Sequence, residues 1–379
     1  MQVAVIKLGS RISFNANDTS GGNGEARSII KMLQGGGAKV QIYTKILKKD
    51  NLLPEYEWFD LSDPATLADG LRAQALIVLN GNVNFFGGAE DPEQLLNYVI
   101  INEFKGPVFY VYCDPSLTLK QVWPSVSRKP WAGNWSEKDL NITRNDIIYL
   151  SQPYDVNKVL EKLSKNEVTP STAIHFPFEQ FPCLNEQLPI NPTPEVDLSY
   201  GGTMRGGKRS KKMVKFYFNH PEEISVEMFG KIKLEDFEEK HLLGVTRTPT
   251  FTGPIKYDEM LPKMNKAMAH IVIGDPYYEQ INDMAQRAYE SIWSNVVTFI
   301  DKDLDQLRRV YGVDKELADF LYVGERKEVS EKIMLLKTDP NLRNEILSAQ
   351  LKAINFDANT YCSQFVNLIK DTVNYGVNR

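Results

Sequence analysis

The chain has 379 residues, 42% hydrophobic and 25% charged, as in soluble globular proteins, and it is long enough for two cores. A net charge of −5 excludes a protein coated in basic residues, but not a local basic surface for phosphates. No apolar run approaches the ~20 residues that cross a bilayer, the start Met1-Gln2-Val3-Ala4-Val5-Ile6 reads as a buried strand, and Cys113, Cys183 and Cys362 form no metal or disulfide pattern, so a cytoplasmic protein is expected.

Residues 3–8 are a β-branched apolar run ending in Gly9-Ser10, followed by a polar, glycine-rich loop to Gly24. Residues 25–33 have helical spacing, Gly35-Gly36-Gly37 stops it, and 39–43 is strand-like again. Strand, glycine loop, helix, strand is a Rossmann-type start. Residues 75–79 and 108–112 add buried strands, each followed by a turn rich in Asn, Gly, Asp or Pro. Ligands of open α/β sheets sit beyond such carboxyl ends. Residues 9–24, 80–88 and 114–116 are therefore expected around one cleft.

The stretch 182–194 holds four prolines with little periodicity and predicts an interdomain linker. A second series of strand-like runs follows at 196–200, 225–229, 269–273 and 296–300. Asp339-Pro340 opens a helix, and 359–373 shows apolar spacing of three and four. The predicted architecture is two doubly wound α/β domains, 1–181 and 196–356, joined by 182–195 and followed by a helical tail.

The residues from Tyr200 to Lys212 carry the densest chemistry, with four glycines and five cationic side chains in thirteen positions. Glycines let backbone N–H groups approach an anion, and a helix N-terminus adds partial positive charge. Arg205 and Arg209, four apart, reach one ligand from adjacent turns if the segment is helical. A diphosphate cradle is the simplest reading, favoured over a DNA-facing patch or a solvated charge run. Further on, Gly274-Asp275 ends a strand, and Arg287 and Glu290 share a helix face. They suit a phosphate and a pair of ribose hydroxyls, or else form a surface salt bridge.

In the first domain Asp114 follows a strand directly, as a general base toward an acceptor hydroxyl or as an ordinary turn aspartate. Glu25, at the start of the first predicted helix, is a helix-dipole partner or a sugar-hydroxyl ligand. Asn84-Phe85-Phe86-Gly87-Gly88 puts two aromatics in a polar loop, and Arg128-Lys129-Pro130-Trp131 sets cations beside a third. Both fit contacts to a nucleic-acid backbone and base, as well as packing onto their own domain. His270 lies in a predicted buried strand and reads as a core residue. No Asp-x-Asp pair follows a strand, so no metal ligand is signalled. The lack of Gly-x-Gly-x-x-Gly after the first strand argues against a dinucleotide oxidoreductase.

These pieces together resemble the DNA β-glucosyltransferases of T-even bacteriophages. The likeness rests on Asn84-Phe85-Phe86-Gly87-Gly88, Trp123-Pro124, Pro130-Trp131-Ala132, Phe176-Pro177 and Glu179-Gln180. It continues through Tyr200-Gly201-Gly202 with Arg205, Gly207 and Arg209, then Lys212-Met213-Val214, Phe251-Thr252-Gly253 and Ile273-Gly274-Asp275. The resemblance implies the GT-B architecture: two Rossmann-like domains about a cleft, with a C-terminal helix, about 357–379, crossing back to the first. It implies an inverting transfer of glucose from UDP-glucose to 5-hydroxymethylcytosine flipped out of duplex DNA, in the infected host's cytoplasm, by a monomer.

Carried over residue by residue, Asp114 is the catalytic base, and Glu25 and Asp275 belong to the sugar pocket. Gly202, Thr203, Arg205, Arg209, Ile255, Tyr278, Arg287 and Glu290 hold UDP, while Asn84, Phe85, Phe86, Gly87, Arg128 and Trp131 approach DNA. A divalent cation such as Mg is compatible with this reading. Thr203 replaces a serine, Pro115-Ser116-Leu117 is less basic than the family's continuation, and the loop before Glu25 is longer. A UDP-arabinose or other pentose donor therefore stands beside glucose, and a non-catalytic nucleotide- or DNA-binding relative stands further off.

Overall fold

The computed structural model describes residues 1–7, 12, 14, 21–44, 52–61, 63, 72–79, 101–112, 146–151, 156–157, 161, 172–178, 187–203, 207–256, 259–274, 278–279, 284–312, 314–354 and 357–377. The chain divides into two units, Met1–Phe178 with Asp357–Arg379, and Glu179–Phe356.

The first unit is built on β1 (Gln2–Lys7), α1 (Gly21–Gly35), β2 (Lys39–Thr44), β3 (Glu57–Asp60), β4 (Ala75–Leu79), β5 (Val108–Tyr112), β6 (Ile148–Ser151) and β7 (Thr172–His175). Its seven strands are all parallel, in the order β3-β2-β1-β4-β5-β6-β7. Every residue of β4 is buried, as expected of a parallel strand covered on both faces, and this is why it reads as a continuous apolar run. The first helix begins at Gly21 rather than at Glu25, which therefore lies a full turn inside it. That position weakens the helix-dipole reading of Glu25, because the dipole acts within the first turn.

The second unit contains β8 (Val196–Thr203), α2 (Gly207–Tyr217), β9 (Val226–Lys231), α3 (Glu239–Leu242), β10 (Thr250–Gly253), α4 (Met260–Asn265), β11 (Ala267–Val272) and α5 (Gln286–Trp293). It ends with β12 (Val297–Asp301), α6 (Lys315–Leu321), β13 (Tyr322–Val323), α7 (Arg326–Thr338) and α8 (Pro340–Ile354). The parallel sheet runs β10-β9-β8-β11-β12-β13. Counted within the unit this is the order 3-2-1-4-5-6 of a dinucleotide-binding fold, and the chain changes direction between β8 and β11.

Five strands, β3, β6, β7, β10 and β13, were not expected from the sequence. Each has four residues or fewer, too short for a period of two to stand out. Part of the proline-rich stretch is tied to the second unit. Leu188 N–H donates to the Trp293 carbonyl at 3.3 Å. Asn265 Nδ2 donates to the Pro189 carbonyl at 3.0 Å, and Asn191 Nδ2 donates to the Asn265 carbonyl at 3.1 Å.

The last helix, α9 (Ala358–Val377), returns to the first unit. Its apolar positions Tyr361, Cys362, Phe365, Val366 and Ile369 fall three and four apart and are all buried, giving one sealed face. Phe365 packs 4.8 Å from Phe176 and 5.4 Å from Phe178 between ring centroids, and the Tyr361 hydroxyl donates to the Pro177 carbonyl. A side chain at Gly36 would overlap the Cys362 carbonyl and Val366, so this glycine lets α9 approach closely. Among the described residues no helix is long and apolar enough to cross a membrane.

Candidate functional site

The site begins where β8 and β11 part. Their pairing ends at His270↔Ser199, while β8 continues to Thr203 along β9. Past that point Ile271 has lost its β8 partner, and the Tyr217 hydroxyl from α2 takes both backbone groups. It donates to the Ile271 carbonyl at 2.6 Å and accepts from the Ile271 N–H at 3.2 Å. Buried backbone groups must be paired somewhere, so this hydroxyl allows the sheet to open without loss. Gly201, Gly202 and Thr203, expected as loop, are the end of β8. Gly230 on β9 makes that possible: at φ 118° it faces Gly202, where any Cβ would overlap the Gly202 carbonyl oxygen.

Beyond the parting lies a cavity of about 180 Å³. Gly202, Thr203, Arg209, Tyr278 and Arg287 line it, together with Tyr200 and His270. It sits at the carboxyl ends of β8 and β11, at the switch point where open α/β sheets hold ligands. Among the described residues its lining holds two guanidinium-bearing side chains and no carboxylate, which favours an anion.

Arg287 opens α5 and pairs with Glu290 at 3.2 Å, three residues on. Glu290 is only 4% exposed while Arg287 stays partly exposed, so the pair is half-buried and is not a fully exposed surface salt bridge. Arg287 also lies against the sulfur atoms of Met260 and Met264, the latter at 3.7 Å. Ile255 does not line the cavity. It packs against the small apolar cluster that includes Met260 and Met264, the methionines that Arg287 touches.

His270 is wholly buried, and its Nδ1 lies 3.3 Å from the Ser199 hydroxyl. Burial, with Arg287 nearby, holds its pKa down to about 3, so it is neutral. Its Nε2 and the Tyr200 hydroxyl are buried polar atoms with no hydrogen-bond partner among the described residues. Such an atom costs about 1–3 kcal/mol, an unusual burden for two residues lining one cavity.

Lys212, the last residue of the basic stretch, faces away from any anion role. It pairs with Glu279 and with Asp301 at 2.5 Å. Burial opposes its charge, but the Asp301 and Glu279 carboxylates outweigh this and raise its pKa above the usual 10.5. The bridge joins α2, the end of β12 and the helical residues Tyr278 and Glu279. Asp114, Asn84, Phe85, Phe86, Gly87, Arg128, Trp131, Arg205 and Asp275 lie outside the described residues, as does the Glu25 side chain.

Comparison with known proteins finds the following likenesses. Residues 1–182 match the family described as bacteriophage T4 beta-glucosyltransferase. The chain is 29% identical over 360 residues to the DNA beta-glucosyltransferase of Enterobacteria phage T4, covering 94% of this chain and 95% of that one. A structure of T4 phage BGT in complex with UDP and Mn2+ superposes with a TM-score of 0.79 at 27% identity, covering 98% of this chain and 99% of the other. T4 phage BGT in complex with its UDP-glucose substrate gives the same TM-score at 24% identity and the same coverage, and shows the shared fold. An alpha-glucosyltransferase in complex with UDP and a 13-mer DNA shares the fold more distantly, at TM-score 0.64 and 12% identity over 98% of this chain and 99% of that one. The GT-B-like α/β fold expected from the sequence is therefore the fold of this β-glucosyltransferase relative.

The manganese in that relative raises the question of a metal ligand set. Among the described residues no three of His, Cys, Asp and Glu come together to hold a metal ion, and no chemical step is assigned to one. Sequence reasoning passed over Tyr200 and His270 as site residues. The available signal was a histidine inside the otherwise apolar strand Ala267–Val272, one turn before Gly274-Asp275. A polar group so placed needs a partner.

Proposed function

We propose that this protein is an inverting UDP-glucose-dependent DNA glycosyltransferase that acts on 5-hydroxymethylcytosine in duplex DNA. The observation that carries the reading is the cavity at the β8/β11 switch point with Arg209 and Arg287 in its lining, in a chain similar over 94% of its length to a DNA beta-glucosyltransferase. Relatives that hold UDP, or UDP-glucose as substrate, support the choice of donor.

In this reading Gly202, Thr203, Arg205, Arg209 and Arg287 hold the diphosphate, Glu290 the ribose, and Ile255 and Tyr278 the uracil side. Glu25 and Asp275 contact the glucose. Asn84, Phe85, Phe86, Gly87, Arg128 and Trp131 engage DNA and the gap left by the flipped base. Asp114 takes the proton of the hydroxymethyl group as that oxygen attacks the anomeric carbon in line. The bond from the anomeric carbon to the β-phosphate oxygen breaks, and UDP leaves with the charge neutralised by the arginines, a contribution typically of several kcal/mol. The protein works as a monomer in the cytoplasm of an infected bacterium.

The test is to incubate the protein with hydroxymethylated duplex DNA and, separately, UDP-glucose and UDP-arabinose, then weigh the digested nucleosides. A gain of one hexose on hydroxymethylcytosine is expected. A gain only from the pentose donor moves the reading to an arabinosyltransferase, and no gain from either donor overturns it.

A further inference from the structure

We propose that the Tyr200 hydroxyl and the His270 Nε2 form an uncharged hydrogen-bonding floor for the diphosphate of the nucleotide donor, between the guanidinium groups of Arg209 and Arg287. The inference rests on the donor-binding reading of this cavity and adds two positioning residues to it.

Three independent features converge on the pair. Both residues line the cavity, and both polar atoms are buried there without a hydrogen-bond partner among the described residues. Folded interiors seldom leave such atoms unmet, and two unmet atoms lining one cavity call for a partner from outside the chain. The two rings are nearly parallel, 14° apart with centroids 6.2 Å from one another, so the two side chains stand side by side in the cavity wall.

The neighbours define what that locus takes. Arg287 acts electrostatically on His270. Arg209 acts on Tyr217, whose ring lies 5.3 Å from the Tyr200 ring. An anion held by both guanidiniums is thereby brought to the floor between them. The cavity, about 180 Å³, is smaller than the ~300 Å³ at which whole-ligand sites begin. It suits the phosphates better than the whole nucleotide.

The histidine is set up for this. Its Nδ1 meets the Ser199 hydroxyl. When that hydroxyl donates, Nδ1 is the acceptor and Nε2 carries the proton. A neutral imidazole then offers one N–H to a phosphate oxygen without adding a third positive charge beside two arginines. Tyr200 offers an O–H from the strand that continues into Gly201 and Gly202. The floor completes the coordination that backbone N–H groups and guanidiniums begin from above.

Calorimetry with UDP, uridine and inorganic pyrophosphate tests this, on wild type, Tyr200→Phe, His270→Leu and His270→Gln. Tyr200→Phe and His270→Leu are each expected to weaken UDP and pyrophosphate about 5- to 20-fold, a loss the size of one or two hydrogen bonds. Uridine affinity should stay unchanged, the ligand-free melting temperature of Tyr200→Phe should not fall, and His270→Gln should recover part of the loss. In wild type, the His270 Nε2 resonance in 15N spectra should move on adding UDP or pyrophosphate, a signature that no merely structural role produces. Folded Tyr200→Phe and His270→Leu variants with UDP affinity within twofold of wild type overturn the inference, as does an unmoved resonance. Equal losses for uridine overturn the assignment to the diphosphate. Failure of wild type itself to bind UDP sinks the donor reading and the floor with it, an outcome distinct from the others.

Discussion

The Tyr217 hydroxyl replaces a strand: it bonds both the N–H and the carbonyl of Ile271, at 3.2 and 2.6 Å, where β8 has left β11. One side chain from α2 thus caps the open end of a parallel pair at the mouth of the cavity. Tyr217→Phe keeps the ring and strands two buried backbone groups. A loss of about 1–3 kcal/mol in urea unfolding is expected, with weaker UDP binding as the Ile271 segment relaxes toward β8. Unchanged stability would show that water or a shifted strand serves Ile271 equally well.

Gly230 controls the other side of the same opening. Its φ of 118° and its contact with the Gly202 carbonyl leave no room for a Cβ. Gly230→Ala is expected to cost more than about 2 kcal/mol, through both strain and overlap. Because Gly202 is what gives way, UDP affinity should fall further than the affinity for DNA. Calorimetry on the folded fraction measures both, and equal losses would count against a local effect.

Those two relationships show where the sequence stops being legible. β4 and β5 are long apolar runs with turn residues after them, and both can be read to the residue. The end of β8 is misread at Tyr200 because its continuation to Thr203 depends on Gly230, on another strand. The Arg287 and Glu290 pairing follows from their three-residue spacing alone. The role of Lys212 does not, since its partners Glu279 and Asp301 lie 67 and 89 residues away. His270 looks like core from its strand, and it is core. Only the parting of β8 and β11 makes it also a cavity wall.

Lys212 offers a pH-dependent readout. Asp301 is 1% exposed at its side chain, so Lys212→Met leaves a buried carboxylate without its cation, a loss of about 3 kcal/mol at neutral pH. The folded-state pKa of Lys212 is raised. Its stabilisation is therefore complete below the unfolded value and lost as pH rises through the higher folded one. Unfolding curves between pH 8 and 12 should show wild type losing its advantage over Lys212→Met only above about pH 10.5. A gap already closing at pH 8 would mean that the ion pair contributes little. Since Glu279 adjoins Tyr278, the variant should also raise the KM for UDP-glucose more than it lowers kcat.

The proposed base offers a test that separates binding from chemistry. Asp114 falls in the span of the first unit, whereas every described residue lining the proposed donor cavity belongs to the second. Asp114→Asn keeps the size of the side chain and removes its basicity. General-base catalysis is typically worth 10²- to 10⁴-fold, and kcat on hydroxymethylated DNA is expected to fall by about that factor. The Kd for UDP should stay within twofold. A near-native rate in the variant would mean that another group, or water, removes the proton. Loss of UDP affinity together with kcat would mean instead that Asp114 supports the donor site, and the base would have to be sought elsewhere in the first unit.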